Sequence, residues 1–435
     1  MKNPNKLALL GGRPLLTKPF PPYNSLGPEE TRAVKAVMQR RILSDFIGQA
    51  GPKFLGGHYV QKLEQLMTKK FKVKYAVSFN SASTALQAAV TSLGIGPGDE
   101  VITSPFTMTA TPSAVLLNNA IPVFADSDPD NYCLDYRSVG RNITNRTKAI
   151  MTVNLFGGSS DFSKLLTLAK RHKLPLIEDN AQSIGSKYRG KFLGTVGDIG
   201  IFSFNVHKTL QCGEGGVLVT NNKKLAWRAR LVRNHGEVVV DGLVKKEQYE
   251  ALIGNNFRLS ELQAAIAIEQ LKKIAKLNQP RVALANYLTS ELKKYLWLEP
   301  VKVLPKTTHV YYIYPFKFFS KKLGISRDLF ARAMTAEGFP VHQGYTKPLY
   351  LIPMYQRKRM FPHSQFPFVS REYPSRVSYR KGICPVVERL YEKELLYTTI
   401  CYPPRTKKDI DLFIAAIDKI VANLDGLKKY GQKKH

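Results

Sequence analysis

Short apolar runs alternate with amphipathic stretches between residues 75 and 220. Apolar runs that are separated by helical patterns are typical of a mostly parallel sheet covered by helices on both faces. The pattern therefore predicts an α/β fold whose larger unit contains seven strands. The strand candidates are YAVSF (75–79), EVITS (100–104), PVFAD (122–126), AIMTV (149–153), LPLIE (174–178), IGIFSF (199–204) and GVLVT (216–220).

A long helix is expected to follow this region. Ser260 is placed to cap its start, with Gln263 three residues later, which is the spacing of a capping box. Pro280 is expected to interrupt the helix, because proline lacks a backbone N–H and clashes with the preceding turn. A second helical stretch should then run toward Leu296.

The chain beyond Pro305 has a different pattern, which predicts a second, smaller α+β domain. Residues 355–383 are polar, aromatic and basic and are expected to form a long loop. The other elements expected here are a strand at 309–318, a helix at 326–338, a strand at 339–344 and a closing helix at 409–424.

These patterns divide the chain into four parts. A length of 435 residues allows two or three domains, at roughly 150 residues each. The expected parts are an N-terminal arm at 1–30, a large cofactor-binding domain at 31–280, a small C-terminal domain at 281–425 that includes the basic loop 355–383, and a disordered basic tail at 426–435.

Composition excludes several classes of protein. Hydrophobic residues make up 44% and charged residues 23% of the chain, which argues against wholesale disorder. No apolar run reaches the ~18 residues that a membrane-spanning helix needs, so no membrane contact is expected. The four cysteines have no metal-binding spacing, so we expect no disulfide, no structural metal and a reducing, cytoplasmic location.

The net charge is unusual. The chain carries 65 Lys and Arg against 33 Asp and Glu, which gives a formal net charge of +32. Such an excess attracts polyanions, including nucleic acids and phosphorylated small molecules. Because the basic residues are spread along the whole chain, a generally basic surface explains the excess equally well.

The first candidate for chemistry is the segment from Asn80 to Ser83, between an expected strand and an expected helix. Ligands of parallel sheets gather outside the carboxyl ends of the strands. Free backbone N–H groups at a helix start, beside the positive end of the helix dipole, form a phosphate site. Simple capping of the helix by Ser81 or Ser83 is the alternative.

The second candidate is Asp179, which directly follows the apolar run 174–178, with Gln182 three residues later. A carboxylate in a closed site is unfavourable unless it meets a cation, and a protonated pyridine nitrogen is such a partner. A loop aspartate that caps the next turn is the alternative.

The third candidate is Lys208, which is followed by the glycine-rich segment 213–216. A lysine on a tight turn, with glycines that let the backbone approach a bound group, is suited to form a Schiff base. Most lysines are surface charges, however, and the neighbouring His207 is of a type that is more often structural or exposed than catalytic.

The order of the three candidates narrows the interpretation. A phosphate loop, then a strand-end aspartate, then a lysine before a glycine-rich turn is the order needed to hold pyridoxal 5′-phosphate. The sequence also resembles the DegT/DnrJ/StrS family of sugar aminotransferases, which have the pyridoxal-phosphate fold type I with a smaller C-terminal α+β domain. The segments that carry the resemblance are NSASTAL (80–86), PGDEVITSPFTMTAT (97–111), NLFGG (154–158), IEDNAQSIG (177–185), FSFNVHKTLQCGEGGVLVT (202–220), GNNFRLSELQAA (254–265) and CPVVERLYEKEL (384–395).

The resemblance implies roles for three residues in the chemistry. Lys208 would form the Schiff base and carry the proton between the amino donor and the cofactor. Asp179 would pair with the pyridine nitrogen, and Gln182 would lie against the ring or its hydroxyl group.

The resemblance also implies how the phosphate is bound. Ser81, Ala82 and Ser203 would bind it within one chain, and Asn256 would reach the phosphate in the other subunit of a homodimer with shared active sites. His309 matches a recurring histidine of the family to which we assign no role.

Two features depart from the family pattern. Met108 stands where many members place an aromatic residue on the cofactor ring, and Phe106 is the alternative for that contact. The loop 355–383 is longer than usual, and its basic residues are suited to clamp a diphosphate, although a solvated insertion is an equal alternative. Those residues are Arg357, Lys358, Arg359, Arg371, Arg376, Arg380 and Lys381.

The leading hypothesis is an aminotransferase that moves nitrogen from glutamate or glutamine to a keto sugar, which is expected to be linked to a nucleotide. A keto-cyclitol such as scyllo-inosose is an alternative acceptor. A sugar dehydratase of the family would carry histidine in place of Lys208, and His207 is one residue short of that position. A non-catalytic nucleic-acid-binding or regulatory protein on the same fold is supported by the charge, but the sequence has no nucleic-acid-binding motif.

Overall fold

The computed structural model describes residues 5–243, 252–374 and 377–432. These residues form a sheet of seven strands, a sheet of four strands and a two-stranded hairpin. The strands are β1 Tyr75–Phe79, β2 Glu100–Thr103, β3 Ile121–Phe124, β4 Thr147–Val153, β5 Leu176–Asp179, β6 Lys187–Tyr188, β7 Lys191–Phe192, β8 Ile199–Ser203, β9 Gly216–Thr220, β10 Leu298–Pro300, β11 Tyr314–Phe318, β12 His342–Gln343 and β13 Leu395–Thr398.

The large sheet confirms the predicted α/β fold class. Its strand order is β1-β9-β8-β5-β4-β2-β3. Strand β9 runs antiparallel to both of its neighbours, and the other neighbouring pairs are parallel. All seven strands coincide with the predicted apolar runs to within two residues at either end.

Helices account for most of the remaining regular structure. In the described residues they are α1 Pro28–Arg40, α2 His58–Phe71, α3 Ala82–Ser92, α4 Ala110–Leu116, α5 Tyr136–Asn142, α6 Phe162–Arg171, α7 Lys223–Arg233, α8 Gly236–Leu243, α9 Glu261–Lys272, α10 Ile274–Leu292, α11 Ser320–Leu323, α12 Arg327–Ala336, α13 Pro353–Gln356, α14 Pro385–Arg389, α15 Lys407–Ala422 and α16 Leu424–Gln432. None of them is long and apolar enough to cross a membrane.

The large sheet is buried on both faces, which is why its strands are almost wholly apolar. Val77 and Leu218 belong to a core with helices α3 and α7 on one face. Ala76, Val217 and Val219 belong to a core with helices α2 and α9 on the other face. Because both faces of the sheet are covered, the ends of its strands are the places where a ligand can reach it.

Helix α9 begins as predicted, but Pro280 does not end a helix. The Ser260 side chain accepts from the backbone N–H of Gln263, and the reciprocal contact of the capping box is present. The chain breaks at Lys273 instead, and α10 continues through Pro280 to Leu292. Pro280 is exposed, and so is Lys276, whose carbonyl loses its helical partner. Helix α10 therefore crosses the expected domain boundary at residue 280.

The four-stranded sheet forms the core of the small C-terminal part, in the order β10-β11-β13-β12. The predicted strand at 309–318 is too long, because only residues 314–318 belong to β11. Tyr311 has a φ of 48°, which is incompatible with a strand. The predicted helix at 326–338 is present as α12, with Ser326 as its N-cap.

The prediction of a disordered tail from residue 426 is wrong for its described part. Residues 424–432 form α16, and Leu427 is fully buried. Leu427 and Tyr430 contact a hydrophobic core that includes Phe330 of α12 and Phe413 of α15, and this contact stabilises a segment that its lysines predict to be disordered. Lys433, Lys434 and His435 lie outside the described residues.

Candidate active site

The three sequence candidates meet at the carboxyl edge of the large sheet. Gly216, at the start of antiparallel β9, pairs with Phe79 at the end of β1 and with Ser203 at the end of β8. Asp179 ends β5, which lies next to β8. The loop after β1, Ser203 and Asp179 therefore lie side by side along one edge, as expected for a ligand site of a parallel sheet.

The start of helix α3 has the form of an anion site. The Ser81 hydroxyl caps the helix by accepting from the Thr84 N–H at 3.1 Å, and the first intrahelical bond runs from Ala85 to the Ser81 carbonyl. The N–H groups of Ala82 and Ser83 precede that bond, so they are available to an anion beside the positive end of the helix dipole. Both interpretations of this segment, capping and anion binding, are thus compatible.

Gly216 explains how the glycine-rich segment supports this helix start. A Cβ atom at this position would lie 2.5 Å from the Ala82 nitrogen and 2.6 Å from the Ser81 carbonyl carbon. Only glycine lets β9 pass this close to the helix terminus. Ser203, which pairs with Gly216, is buried at the same place.

Asp179 is a buried carboxylate with few partners. Thr111 donates its hydroxyl to Asp179 Oδ2 at 2.7 Å, and the Ala181 N–H donates to Oδ1 at 3.2 Å. Burial raises the pKa of Asp179, while these two hydrogen bonds and the nearby Lys208 lower it by less. A cation would stabilise the ionised carboxylate here, which fits a pairing with a protonated ring nitrogen.

Lys208 faces the same space. Its backbone N–H donates to the Asn205 carbonyl in a tight turn, and its Nζ lies 4.7 Å from the centroid of the Tyr312 ring. Burial lowers the pKa of Lys208, and Asp179 opposes that effect. His207, by contrast, is exposed. The structure thus places the lysine, and not the histidine, beside the carboxylate.

Both the oxygen and the nitrogen of the Gln182 amide form hydrogen bonds. Its Oε1 accepts from the Phe156 N–H at 2.8 Å, and its Nε2 donates to the Tyr345 hydroxyl at 2.9 Å. Gln182 is also buried. The side chain therefore ties the loop after β5 to Tyr345 of the small domain at the border of the site.

Phe106 and Met108 have different environments. Phe106 is fully buried and makes edge contacts with Phe156 and Tyr345, at 6.3 and 5.8 Å between ring centroids. The Met108 side chain is 60% exposed. Phe106 packs within the protein core, whereas the exposed side chain of Met108 can contact a ligand.

Asn256 and His309 lie in contrasting positions. Asn256 is exposed, and its neighbour Phe257 accepts the Asn80 N–H at the loop after β1. His309 is buried, its Nδ1 accepts from the Tyr311 N–H at 3.0 Å, and burial lowers its pKa to about 3. His309 is therefore a neutral, hydrogen-bonded core residue.

The described part of the basic loop 355–383 is anchored to the outer edge of the large sheet. Tyr379 donates to the carbonyl of Pro122 in edge strand β3, and Tyr373 donates to Glu100 at the amino end of β2, both at 2.8 Å. Arg146, just before β4, donates to the Glu372 carbonyl. Arg371 and its neighbours thus lie at the amino ends of the strands, opposite the site. The loop is no solvated insertion either, because Phe368, Tyr373 and Tyr379 are buried; Arg376 lies outside the described residues.

Several residues at the site were not singled out from the sequence. They are Thr111, which holds Asp179, and the small-domain tyrosines Tyr312 and Tyr345. The dense aromatic segment HVYYIYP was a visible signal, but a strand prediction explained it without any ligand. Their convergence depends on how the small domain packs on the large one.

Comparisons with known proteins agree with this geometry. The model of the DegT/DnrJ/EryC1/StrS aminotransferase family matches residues 46–379. An L-glutamine:2-deoxy-scyllo-inosose aminotransferase of Streptoalloteichus tenebrarius is 33% identical over 91% of this chain and 92% of that protein. An L-glutamine:scyllo-inosose aminotransferase of Streptomyces griseus is 36% identical over 74% and 76%. The structure of an aminotransferase from Psychrobacter cryohalolentis aligns with a TM-score of 0.78 at 28% identity, over 93% of this chain and 99% of that one.

Proposed function

The chain belongs to the DegT/DnrJ/EryC1/StrS aminotransferase family, and on that premise we propose that it moves an amino group from glutamine to a keto-cyclitol of the scyllo-inosose class. The enzyme class, the cofactor pyridoxal 5′-phosphate and fold type I follow from the family. The donor and the acceptor are the proposed part. The observation that carries them is the similarity to two glutamine-dependent scyllo-inosose aminotransferases over most of the chain.

The residues at the carboxyl edge fit the cofactor. The free N–H groups at the start of α3 suit a phosphate, and the close approach of Gly216 keeps that helix start within the site. Buried Asp179 lacks a full counter-charge, which a ring N–H would supply. When bound, pyridoxal 5′-phosphate supplies an aldehyde that takes an amine and a ring that withdraws electrons.

We assign the following roles within this chain. Lys208 would bind the aldehyde and hold or release a proton at Nζ, for which its lowered pKa is suited, because only the neutral amine accepts a proton. Asp179 would keep the ring nitrogen protonated. Ala82, Ser81 and Ser203 would bind the phosphate.

The remaining assigned contacts concern the cofactor ring. Met108 is the better candidate to lie against it, because Phe106 is enclosed in the core. Gln182 would border the ring from the loop after β5, where Tyr345 orients its amide. A thioether packs on a ring through its polarisable sulfur, although more loosely than an aromatic side chain.

The position of the basic loop supports a neutral acceptor. A diphosphate clamp would need the loop's arginines near Lys208. Arg371, however, lies at the amino ends of β2 and β4, and Tyr355, beside Arg357 and Arg359, packs on Phe124 of the outer strand β3. Strand β3 is three strands from β5, or roughly 14 Å at the usual strand spacing. A keto-cyclitol carries no phosphate and needs no such clamp.

A nucleotide-linked keto sugar is the second candidate acceptor. Its support is the family, which the sequence resembles as a family of sugar aminotransferases. A dehydratase is not favoured, because a lysine, and not a histidine, lies beside Asp179.

We also propose a homodimer with shared sites. Large apolar side chains, including Ile42, Leu43 and Ile47, are exposed on the segment after α1, and Met108 and Val206 are exposed at the site itself. Exposed apolar surface of this kind marks an interface. A second copy that covers this surface would bring its own Asn256 within reach of the phosphate.

The acceptor is tested with enzyme that has reacted with glutamine and has then been freed of it by desalting. This enzyme is mixed with scyllo-inosose or with a nucleotide-linked keto sugar, and the amino product is measured by mass spectrometry. We expect the amino-cyclitol to form at a rate at least tenfold above that of the amino sugar. Lys208→Ala is the control and should form neither product. A faster reaction with the nucleotide-linked sugar would favour the second candidate.

A further inference from the structure

Arg281, on helix α10, is a buried cation that is surrounded by rings. Its side chain is 1% exposed, and no carboxylate of the described residues forms an ion pair with it. Its guanidinium carbon lies 4.1 Å from the centroid of the Tyr402 ring and 5.0 Å from that of Tyr23. The two rings are neighbours, 5.7 Å apart between centroids, and their electron-rich faces stabilise the cation. The protein thus buries this charge without an anion beside it.

The contacts of this group converge on the residue after Lys208. Arg281 Nη1 donates to the Thr209 hydroxyl at 3.1 Å. The Tyr23 hydroxyl donates to the Thr209 carbonyl at 2.6 Å. Thr209 is therefore held through both its side chain and its main chain. Because the main chain of Thr209 continues that of Lys208, these bonds restrict the position from which the lysine extends.

The same group also supports the ring against which the lysine amine lies. The Tyr402 hydroxyl donates to the Tyr312 carbonyl, and the Tyr312 ring contacts Lys208 Nζ. The charge of Arg281 lowers the pKa of Tyr312, although less than burial raises it. The field of the guanidinium therefore extends to the ring beside the amine.

The choice of rings instead of a carboxylate has a consequence for the lysine. Asp179 already favours the charged ammonium form of Lys208 and so works against the neutral amine. A second carboxylate, placed beside Thr209 to pair with Arg281, would add to that effect. The rings of Tyr23 and Tyr402 stabilise the guanidinium without adding a second negative charge near Lys208.

We propose that Arg281 is a positioning residue for Lys208, which orients the lysine through its hydrogen bond to Thr209 and through the Tyr402 ring, whose hydroxyl group supports Tyr312. The proposal rests on the role proposed above for Lys208. Arg281 itself touches neither cofactor nor substrate.

The test compares Arg281→Gln and Arg281→Lys in the holoenzyme. The control is Arg327→Gln, which removes a similarly buried arginine whose Nη1 donates to the Tyr391 carbonyl in the small domain. The measurements are kcat, KM for glutamine and Tm. Borohydride reduction followed by peptide mass spectrometry shows whether residue 208 carries the cofactor.

We expect Arg281→Gln to lower kcat by about tenfold or more, with KM nearly unchanged. Arg281→Lys should retain more of the wild-type kcat, because an ammonium group can still donate to the Thr209 hydroxyl. Arg327→Gln should lower Tm without a comparable loss of kcat. A kcat in Arg281→Gln that matches that of Arg327→Gln would overturn the proposal.

Tyr402→Phe provides the test if Arg281→Gln does not fold. It keeps the ring over Arg281 and removes only the hydroxyl group that supports Tyr312. We expect it to lower kcat and to leave Tm within a few degrees, and an unchanged kcat would count against the proposal. Failure of the proposed function is distinguishable, because the wild-type enzyme would then carry no cofactor on residue 208.

Discussion

Asp179 and Lys208 work against each other, and the balance between them is the main residue-scale feature of the site. Burial penalises the charge on both side chains, which raises the pKa of Asp179 and lowers that of Lys208. Each also favours the charged form of the other. In the absence of a ligand, the protein therefore keeps an acid and a base in an unfavourable environment, which a cationic ring and an aldehyde would relieve.

Asp179→Asn should stabilise the cofactor-free protein while weakening cofactor binding. Because the folded-state pKa of Asp179 is raised, this carboxyl group favours folding at acidic pH and costs stability as the pH rises through that pKa. We expect the variant to gain roughly 1 kcal/mol at pH 8 and to lose this advantage on acidification. Thermal unfolding of the cofactor-free protein between pH 5 and pH 8 measures the effect.

Glu178→Gln is the matched control for this experiment. Glu178 is also fully buried, but it accepts the N–H groups of Gly194, Val196 and Gly197 at 2.6–2.7 Å. Burial raises the pKa of Glu178 as well, but in the variant an amide NH2 group would face these N–H donors, which should destabilise the protein. If Asp179→Asn is destabilised at pH 8 in the same way, the charge on Asp179 is not a cost to the folded protein.

Met108→Ala and Phe106→Leu should separate ligand contact from core stability. The exposed Met108 side chain accepts a long hydrogen bond from the Thr109 hydroxyl at 3.5 Å, so its truncation should weaken cofactor binding and leave the unfolding free energy nearly unchanged. Phe106→Leu should cost about 1 kcal/mol of stability, because Phe106 is fully enclosed. Cofactor titration and chemical denaturation measure the two effects. The opposite pattern would assign the ring contact to Phe106.

At the scale of elements, the loop 355–383 is the part whose role changes most between sequence and structure. Its basic residues suggested a clamp over a ligand, but its aromatic residues decide its position. Tyr355 and Tyr379 pack on Phe124 of β3 at 5.3 and 5.7 Å between ring centroids. The loop thereby covers the outer strand of the large sheet, which would otherwise expose unpaired backbone groups.

Tyr379→Phe should therefore reduce stability and leave the reaction intact. The buried Pro122 carbonyl would lose the hydroxyl group that donates to it, at a cost of roughly 1–2 kcal/mol. Unfolding of this variant is compared with that of Tyr136→Phe, whose ring is only partly buried.

The combined variant Arg357→Gln, Lys358→Gln, Arg359→Gln should keep the wild-type KM for the acceptor. A selective rise in that KM would support the prediction that these basic residues bind a diphosphate.

At the scale of the whole molecule, the proposed dimer makes the two active sites depend on each other. Asn256 is exposed and Lys208 faces the site of its own chain. If Asn256 acts across the interface, a mixed dimer of Lys208→Ala and Asn256→Ala chains contains one site with neither change. Each variant alone should be impaired, and activity should return when the two are mixed under conditions of subunit exchange.

The mixing experiment also has a definite negative outcome. If Asn256 acted within its own chain, every site of the mixed dimer would carry one of the two changes, and activity would not return. Analytical ultracentrifugation of each variant shows that both remain dimeric. A monomeric wild-type protein at assay concentration would contradict the dimer itself.

Local signals in the sequence were sufficient for the large sheet, for several helix starts and for the order of the site residues. The seven apolar runs are strands because a sheet that is buried on both faces needs continuous apolar segments. The start of α9 at Ser260 was readable because a capping box is local. Ser81, Asp179 and Lys208 were recognisable by their positions after strands and by their resemblance to a family.

Other features required the tertiary structure, because they depend on contacts between residues far apart in the chain. Pro280 lies within a helix at a position where both it and Lys276, whose carbonyl loses its helical partner, are exposed. Helix α16 forms because Leu427 is buried. The buried aromatic residues of the loop 355–383, and not its basic residues, determine where the loop lies. Arg281, Tyr23 and Tyr402 come from three separate segments. Hydrophobic periodicity is local and can be read along a chain, whereas the environment of a buried charge is set only when distant segments pack together.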